Sequence, residues 1–495
     1  MKSSTVVIAR AERAEYPQLG PFHPDQSYPE WTGLPVGAEP NGVYHAVREC
    51  LRLAGLDAAR YGTPEWNPLA AFIRPGQFVL LKPNLVKELH PRDSAGWIYT
   101  VTHGSVIRAV ADYVWKALGG DGRVMIADAP QTDSSFSKLV QLLQLESIRD
   151  YYQKQGRRLE LVDMRQEEWT NVEDVIVDRR PLAGDPNGYL AFDLANHSEF
   201  ASHRGAGRYY GADYDDGEVN RHHSGGRHEY MISGSAVHCD VFINLPKLKT
   251  HKKAGITVNL KNLVGVNGNK NWLPHHTTGS PRSGGDQFPT MTLRRTVEHH
   301  GAQSLRKVAL AVPGLGSWLL RRARKAGKSV FGDNDRVIRS GNWYGNDTTW
   351  RMCLDLNKIV LYGQPDGRLP LPAQATRKTY LSFVDGVIGG QGNGPMDPDP
   401  LDSRVVLFGT DPGCVDAASA SLMGFDVDKI PIVRQAFHSR SYPISVGDWH
   451  EIEIRSNHQE WRGPCRQLVH SGHALSVVPH FGWLSHIEAM ETLHA

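Results

Sequence analysis

The sequence predicts an α/β protein with a mixed, largely parallel sheet, helices on both faces, and polar insertions. Three observations predict it. Short apolar runs end abruptly on polar residues, as Gln77–Leu81 (QFVLL) does at Lys82-Pro83-Asn84 and Arg123–Ala127 (RVMIA) does at Asp128. A stretch with helical spacing, Ser105–Leu118, lies between them. Further apolar runs recur later in the chain, again ending on polar residues. Strand, helix, strand with polar strand ends is the pattern of a parallel sheet, whose ligands sit outside the carboxyl ends of the strands.

The elements follow in order. Val6–Arg10 reads as a short strand, followed by a Pro- and Gly-rich arm to residue 40. Asn41 is a suitable N-cap for a helix through Leu53, because its side chain can accept from an unpaired first-turn N–H. Thr102 or His103 starts the next helix, and Val106, Ala109, Val110, Tyr113 and Val114 give it one buried face. Gly119, Gly120 and Gly122 end it. Residues 135–155 form a further helix, and residues 165–235 a polar insertion rich in Gly, Asp, Arg and His. Val237–Leu245 (VHCDVFINL) is a buried strand ending at Pro246-Lys247. Residues 302–330 are amphipathic and basic, with Leu315, Trp318, Leu319 and Leu320 before Arg321, Arg322, Arg324 and Lys325. A helix packed on the core with a solvated basic face is preferred there to a membrane-surface contact. Leu381–Val384 and Val405–Phe408 are two later strands. The expected organisation is an arm (1–40), a first core part (41–164), the insertion (165–235), a second core part (236–426) and a C-terminal cover (427–495).

Composition narrows the function. Of 495 residues, 40% are hydrophobic and 22% charged, which suits a globular rather than a disordered chain. No apolar run is long enough to span a bilayer, so stable membrane insertion is not expected. The start shows only a four-residue apolar run, Val6–Ala9, so a cytoplasmic protein is expected. The five cysteines (Cys50, Cys239, Cys353, Cys414, Cys465) lack metal or disulfide spacing, so no iron–sulphur cluster is expected. No flavin or nicotinamide signature is visible either. A net charge of +2, without a basic helical stripe, gives no reason to expect nucleic acid.

Local charge is far from balanced. Residues 241–285 contain no Asp or Glu but carry Lys247, Lys249, Lys252, Lys253, Lys261, Lys270 and Arg282. Apolar residues interleave with these lysines, so the segment packs on the core. Clustered lysines beside Gly-rich backbone suit a phosphate or carboxylate. Residues 385–426 carry seven aspartates and one cation, Arg404. Asp411, followed by Pro412, reads as a helix N-cap, which leaves Asp385 and Asp416 unexplained. Either the two blocks neutralise each other across the core, or aspartates hold a hard divalent cation beside an anion held by lysines. The second is preferred.

Histidines cluster in NRHHSGGRHEY (His222, His223, His228), at His251, and in NWLPHH (His275, His276). They offer an alternative metal site at His222, His223 and His228, and a general acid or base, for which His251 beside the lysines is best placed. Aromatic and amide residues alternate from Asn342-Trp343 to Trp350-Arg351, a surface suited to a sugar or heterocycle.

LKPNLV, DVFINLPKLKTHKKAGITVNLKNLVG, VDGVIGGQGNGP and GTDPGCVDAASASLMGF together resemble the domain of unknown function 362 family. NRHHSGGRHEY, NGNKNWLPHH and SGNWYGNDTTWRMCLDLN resemble its long bacterial branch without ferredoxin cysteines. The resemblance spans about residues 75–435. It implies an α/β domain, in some members joined to iron–sulphur modules, and a neighbourhood of polysaccharide or natural-product biosynthesis. It implies no named reaction. The loop Gly390–Pro395 carries Gln391 where the family more usually has Glu.

The expectation is an enzyme for a small anionic metabolite, plausibly sugar- or nucleotide-linked, by metal-assisted group transfer or hydrolysis. Lys82, Asn84, Lys247, Lys249, Lys261, Asn262, Asn393 and Trp343 are the expected substrate contacts. Asp128, Asp385 and Asp416 are the expected ligands of a divalent metal ion, with Asp385, Asp416 and His251 the expected catalytic groups. A redox protein using the histidines and a non-catalytic binding or scaffold protein are the alternatives. The sequence leaves the oligomeric state open.

Overall fold

The computed structural model describes residues 2–172, 175–211, 216–291, 337–439 and 441–489. The amphipathic stretch 302–330 lies outside them. Nine strands run side by side in the main sheet, in the order Gly463–Pro464, Glu453–Ser456, Thr5–Arg10, Val405–Gly409, Thr379–Asn393, Val241–Leu245, Phe78–Pro83, Arg123–Asp128 and Arg158–Asp163. The last five are mutually parallel. Val405–Gly409 runs antiparallel to its neighbours on both sides. The sheet is thus mixed and largely parallel, as the strand-end pattern predicts.

Alternation along the strands builds a core on each face. Val79 and Leu81 pack with the helices Gly42–Leu53 and Gly104–Leu118 on one side, while Leu80 packs with Thr349–Tyr362 and Pro412–Leu422 on the other. The caps work as the residue types require. Asn41 Oδ1 accepts from the Tyr44 N–H at 3.1 Å, and Asp411 Oδ1 accepts from the Cys414 N–H at 3.0 Å. His103 caps the Gly104–Leu118 helix through Nδ1, and Gly119 closes it at φ 63°.

Several boundaries differ from the sequence reading, each for a local reason. The helix expected over 135–155 is two helices, Phe136–Leu142 and Leu145–Gln153, because Gln144 between them is left-handed at φ 51°. The polar insertion, for which the sequence offered no elements, has strands of its own. It contains the paired strands Glu167–Val172 with Val175–Pro181, and Tyr189–Asp193 with Glu229–Ser233. The run from Val237 divides into the end of a short helix, Gly234–His238, and the strand Val241–Leu245. The strand expected over 381–384 extends from Thr379 to Asn393 and turns back at Asp397–Leu401, so the Gly-rich motif is a β-hairpin. The region after 427 does more than cover the core, since Glu453–Ser456 pairs with Thr5–Arg10 and widens the sheet.

All five cysteines are buried and unpaired. Among the described residues no helix is long and apolar enough to cross a membrane.

Candidate functional site

The carboxyl ends of the parallel strands open on a cavity of about 480 Å³. Its floor comes from two neighbouring strands. Lys82 Nζ lies 2.7 Å from Asp128 Oδ1 and donates to Asn262 Oδ1 at 3.1 Å. Asp128 Oδ2 accepts from the Leu85 N–H at 2.7 Å. Gly265 passes directly over this pair, and a Cβ there would collide with both Asp128 Oδ1 and Lys82 Nζ. The fourth residue of the NLVGVNG motif is therefore glycine for a steric reason.

The walls come from the acid-free segment. Lys247–His251 and Gly255–Thr257 form an antiparallel hairpin whose turn carries Lys252 and Lys253. The turn Asn259–Asn262 supplies Lys261 and Asn262, and Lys270 and His275 follow. In all, six lysines line the cavity against two aspartates, Asp128 and Asp133. Asp128 pairs with Lys82, and Asp133 with Lys87 at 2.6 Å, so among the described residues Lys249, Lys253, Lys261 and Lys270 line the cavity with no carboxylate in ion-pair contact.

Most of these ammonium groups are tethered. Lys249 Nζ donates to the carbonyls of Thr100 (2.5 Å) and Pro395 (3.1 Å). Lys253 Nζ reaches the His275 carbonyl at 3.3 Å, and Lys270 Nζ the Val264 carbonyl at 2.8 Å. Lys261 differs: among the described residues no hydrogen bond or ion pair holds its ammonium. Burial lowers its pKa, and its charge in turn acts on Lys82, Lys249, His251, Lys253, Lys270 and His275. Burial, then the charges of Lys252 and Lys261, bring Lys253 down to about 7. Burial brings Lys270 to about 7 as well, with Lys82, Arg165 and Lys261 adding to it against the pull of Asp128. Burial, then Lys247 and Lys261, hold Lys249 well below its ordinary range.

Two histidines present opposite faces. His251 Nδ1 accepts from the backbone N–H groups of Lys253 (3.0 Å) and Ala254 (3.1 Å), which assigns the proton of the neutral ring to Nε2. His275 Nδ1 meets the Leu273 carbonyl at 2.8 Å, which assigns its proton to Nδ1 and leaves the Nε2 lone pair open. Burial and the surrounding lysines keep both rings neutral, His275 at about 3 and His251 well below its ordinary value. One ring thus offers a donor to the cavity and the other an acceptor. Asn84 Oδ1 and Thr257 Oγ1 are also in the wall, buried and, among the described residues, without a hydrogen-bond partner.

Of the residues singled out in the sequence, the cavity collects Lys82, Asn84, Asp128, Lys249, His251, Lys261 and Asn262. The rest lie elsewhere. Lys247 and Asp385 pair at 3.1 Å, both fully buried, with Tyr16 Oη bridging them. Asp416 fixes the turn beneath Lys261: Oδ1 accepts from the Asn259 N–H (2.8 Å) and Oδ2 from the Leu260 N–H (3.1 Å). Asp385 and Asp416 are therefore not brought to Asp128. Trp343 donates from Nε1 to the Asp286 carbonyl, and Asn393 faces Asp397 in the hairpin. Gln391 bonds to the Pro400 carbonyl and the Val478 N–H, away from the cavity. His222 pairs with Glu229 and stacks on Trp272, while His223 Nε2 meets the Trp272 carbonyl. His228 stacks on Phe200. Among the described residues no three His, Cys, Asp or Glu side chains are grouped to hold a metal ion.

Lys253, Lys270 and His275 belong to the site although sequence reasoning did not select them as site residues. The absence of acids from 241–285 was the signal for the two lysines. Tyr210 and Trp169, which line the outer wall, gave none.

Residues 179–421 match the family model described as domain of unknown function (DUF362). No curated protein matches the chain.

Proposed function

The chain belongs to the domain of unknown function 362 family, whose description names no reaction, and from the cavity itself we propose that the protein is an enzyme acting on a small anionic metabolite. One observation carries this reading: the Lys261 ammonium, without a partner among the described residues, stands among other lysines in a cavity of metabolite size. Buried like charges repel strongly, and a bound phosphate or carboxylate relieves that repulsion. An anion would therefore gain more here than at any solvated lysine.

Group transfer or hydrolysis fits the remaining groups. The lysines would hold charge that develops on a phosphoryl or acyl oxygen, already oriented by their carbonyl tethers. His275 Nε2 would take the proton of an attacking hydroxyl or water, and the His251 Nε2–H would donate to an oxygen of the substrate. Burial first, and then the charges of Lys253 and Lys261, keep His275 neutral in the empty site; a bound anion would offset the lysine part, so its basicity would rise on binding. A hard divalent cation would be repelled by the lysines alone, and would enter as the companion of the anion.

The test is a thermal-shift and calorimetric screen at low ionic strength with orthophosphate, phosphate monoesters and small carboxylates, on the wild type and on Lys261→Gln. We expect stabilisation of the wild type that is lost in the variant, followed by turnover of a ligand found this way. If no anion stabilises the wild type, the reading fails. If anions bind and no bound ester or acyl compound is turned over, the protein is a binding protein instead.

A further inference from the structure

The lysine nitrogens that line the cavity are not equivalent. Lys82 Nζ has an acceptor for each of its hydrogens: Asp128 Oδ1 at 2.7 Å, the Pro83 carbonyl at 3.0 Å and Asn262 Oδ1 at 3.1 Å. Lys249 Nζ donates to two carbonyls, and Lys253 and Lys270 to one each. Lys252 is engaged as well. Among the described residues, Lys261 alone of the cavity lysines has neither a hydrogen bond nor an ion pair at its nitrogen.

The backbone beneath it is the opposite case. Asp416 takes the Asn259 N–H at 2.8 Å and the Leu260 N–H at 3.1 Å. Asn357 Nδ2 donates to the Leu260 carbonyl at 2.9 Å. Asn259 Oδ1 accepts from Tyr380 Oη at 3.1 Å and Ser382 Oγ at 2.5 Å, and Asn262 Nδ2 donates to Asn244 Oδ1 at 2.7 Å. Every neighbour of Lys261 in the turn Asn259–Asn262 is thus pinned, while the lysine's own nitrogen is left to whatever enters the cavity. A lysine that served the fold would spend its donors, as Lys82 does. Fixed placement of an uncommitted amine suits a nucleophile. Burial lowers the Lys261 pKa, which favours the neutral amine that a nucleophile requires.

We propose that Lys261 forms an imine with an anionic carbonyl compound, a 2-oxo acid or a phosphorylated aldehyde or ketone. The inference rests on the anion-binding reading above and places the reactive atom of the substrate at a carbonyl carbon. The neighbouring lysines hold the carboxylate or phosphate, which brings the carbonyl to Nζ. Nζ adds to the carbonyl carbon, and the C=O π electrons move onto oxygen, which accepts from the His251 Nε2–H. His275 Nε2 takes a proton from the nitrogen and hands it to that oxygen, giving the amino alcohol. The second N–H proton follows as the C–O bond breaks, so both amine hydrogens leave with the carbonyl oxygen as water. No atom is oxidised or reduced in this step. The imine draws electrons from the adjacent carbon, which opens bond cleavage there.

The experiment is reductive trapping on the full chain at pH 7 and low ionic strength. Pyruvate, dihydroxyacetone phosphate or acetone is added with sodium cyanoborohydride, which reduces an imine to a stable amine, and the adduct is mapped by peptide mass spectrometry. We expect pyruvate or dihydroxyacetone phosphate to label Lys261 at least about tenfold faster than the exposed Lys138 and Lys154, whose ordinary pKa keeps them protonated. Excess orthophosphate should suppress this labelling, and acetone, which has no anionic group, should give little of it. The two anionic probes distinguish a carboxylate from a phosphate substrate. Lys261→Arg keeps the charge but loses the nucleophile, so it should lose the adduct and keep a phosphate-induced thermal shift. Labelling spread over exposed lysines, or found at Lys253 or Lys270 instead, overturns the inference, as does acetone labelling Lys261 as fast as the anions. If orthophosphate stabilises the wild type and neither anionic probe labels Lys261, the inference is overturned while the anion-binding reading stands. If no anion stabilises the protein and Lys261 stays unlabelled, both fail together. The mapping on unaltered protein decides the matter even if the variant does not fold.

Discussion

Lys247 Nζ lies 3.1 Å from Asp385 Oδ2, and neither side chain reaches solvent. Tyr16 from the N-terminal arm completes the cluster, with its hydroxyl 2.5 Å from Asp385 Oδ1 and 2.8 Å from Lys247 Nζ. The His103 N–H adds a bond to Asp385 Oδ2 at 2.9 Å. This lysine is spent on holding the fold, whereas Lys261, from the same acid-free segment, has no partner among the described residues. The two invite opposite expectations.

Lys247→Met leaves Asp385 buried without its cation. Breaking such a pair from one side costs about 3–5 kcal/mol. Urea unfolding should show a loss of that size, while the protein that remains folded keeps its anion response. Lys261→Gln should remove the anion response without a comparable loss of stability. Equal destabilisation by both substitutions would contradict the distinction.

Tyr16→Phe removes the hydroxyl that bonds Asp385, Lys247 and the Ile388 N–H. With buried partners left unpaired, the cost should be about 1–3 kcal/mol. Limited proteolysis should then cut the first 40 residues sooner than in the wild type. Unchanged cutting would mean the arm is held by its other contacts.

Gly265→Ala places a methyl group on the Lys82–Asp128 pair. The backbone over that pair must shift, at about 1–3 kcal/mol, and the cavity floor shifts with it. The variant should melt lower and bind phosphate more weakly. Wild-type values for both would show that the pair yields without consequence.

pH should act on the empty and the occupied protein in opposite directions. Lys253 and Lys270 sit at about 7 in the folded chain against an ordinary 10.5. Between those values the unfolded chain holds protons that the folded chain has released, so these lysines make stability rise with pH. Below about 7 their penalty is fully present and constant. Anion affinity runs the other way, because the amines lose their charge above about 7. Thermal shifts from pH 6 to 10, with and without phosphate, should converge as pH rises. A phosphate-induced shift that grows toward pH 10 would rule out these lysines as its source.

How much of this was legible beforehand differs by element. Strand ends such as Lys82 and Asp128 were readable because an apolar run stopped on a polar residue, and in a parallel sheet that position faces the ligand crevice. The lysine wall was readable as an absence of acids over residues 241–285. The aspartates misled. Their density over 385–426 looked like one feature, but Asp411 caps a helix, Asp416 pins a turn, and Asp385 answers Lys247. The cap was readable from spacing, but the jobs of Asp416 and Asp385 depend on partners more than 100 positions away, which spacing does not reveal. The hairpin at Gly389–Leu401 was hidden by glycines that lower strand propensity, although cross-strand pairing sustains it. The division of residues 135–155 turned on a single left-handed residue, Gln144, of a type that seldom adopts that conformation.

The crowding of cations around Lys261 has a practical side. If the proposed anion site is real, any preparation will recruit whatever negatively charged solute its buffer supplies, and an occupied molecule resists heat better than a vacant one. Melting points recorded in phosphate, citrate or sulfate will therefore describe the protein together with its guest. A zwitterionic buffer at modest chloride is the baseline against which a true occupant should be sought, including one carried unnoticed through purification.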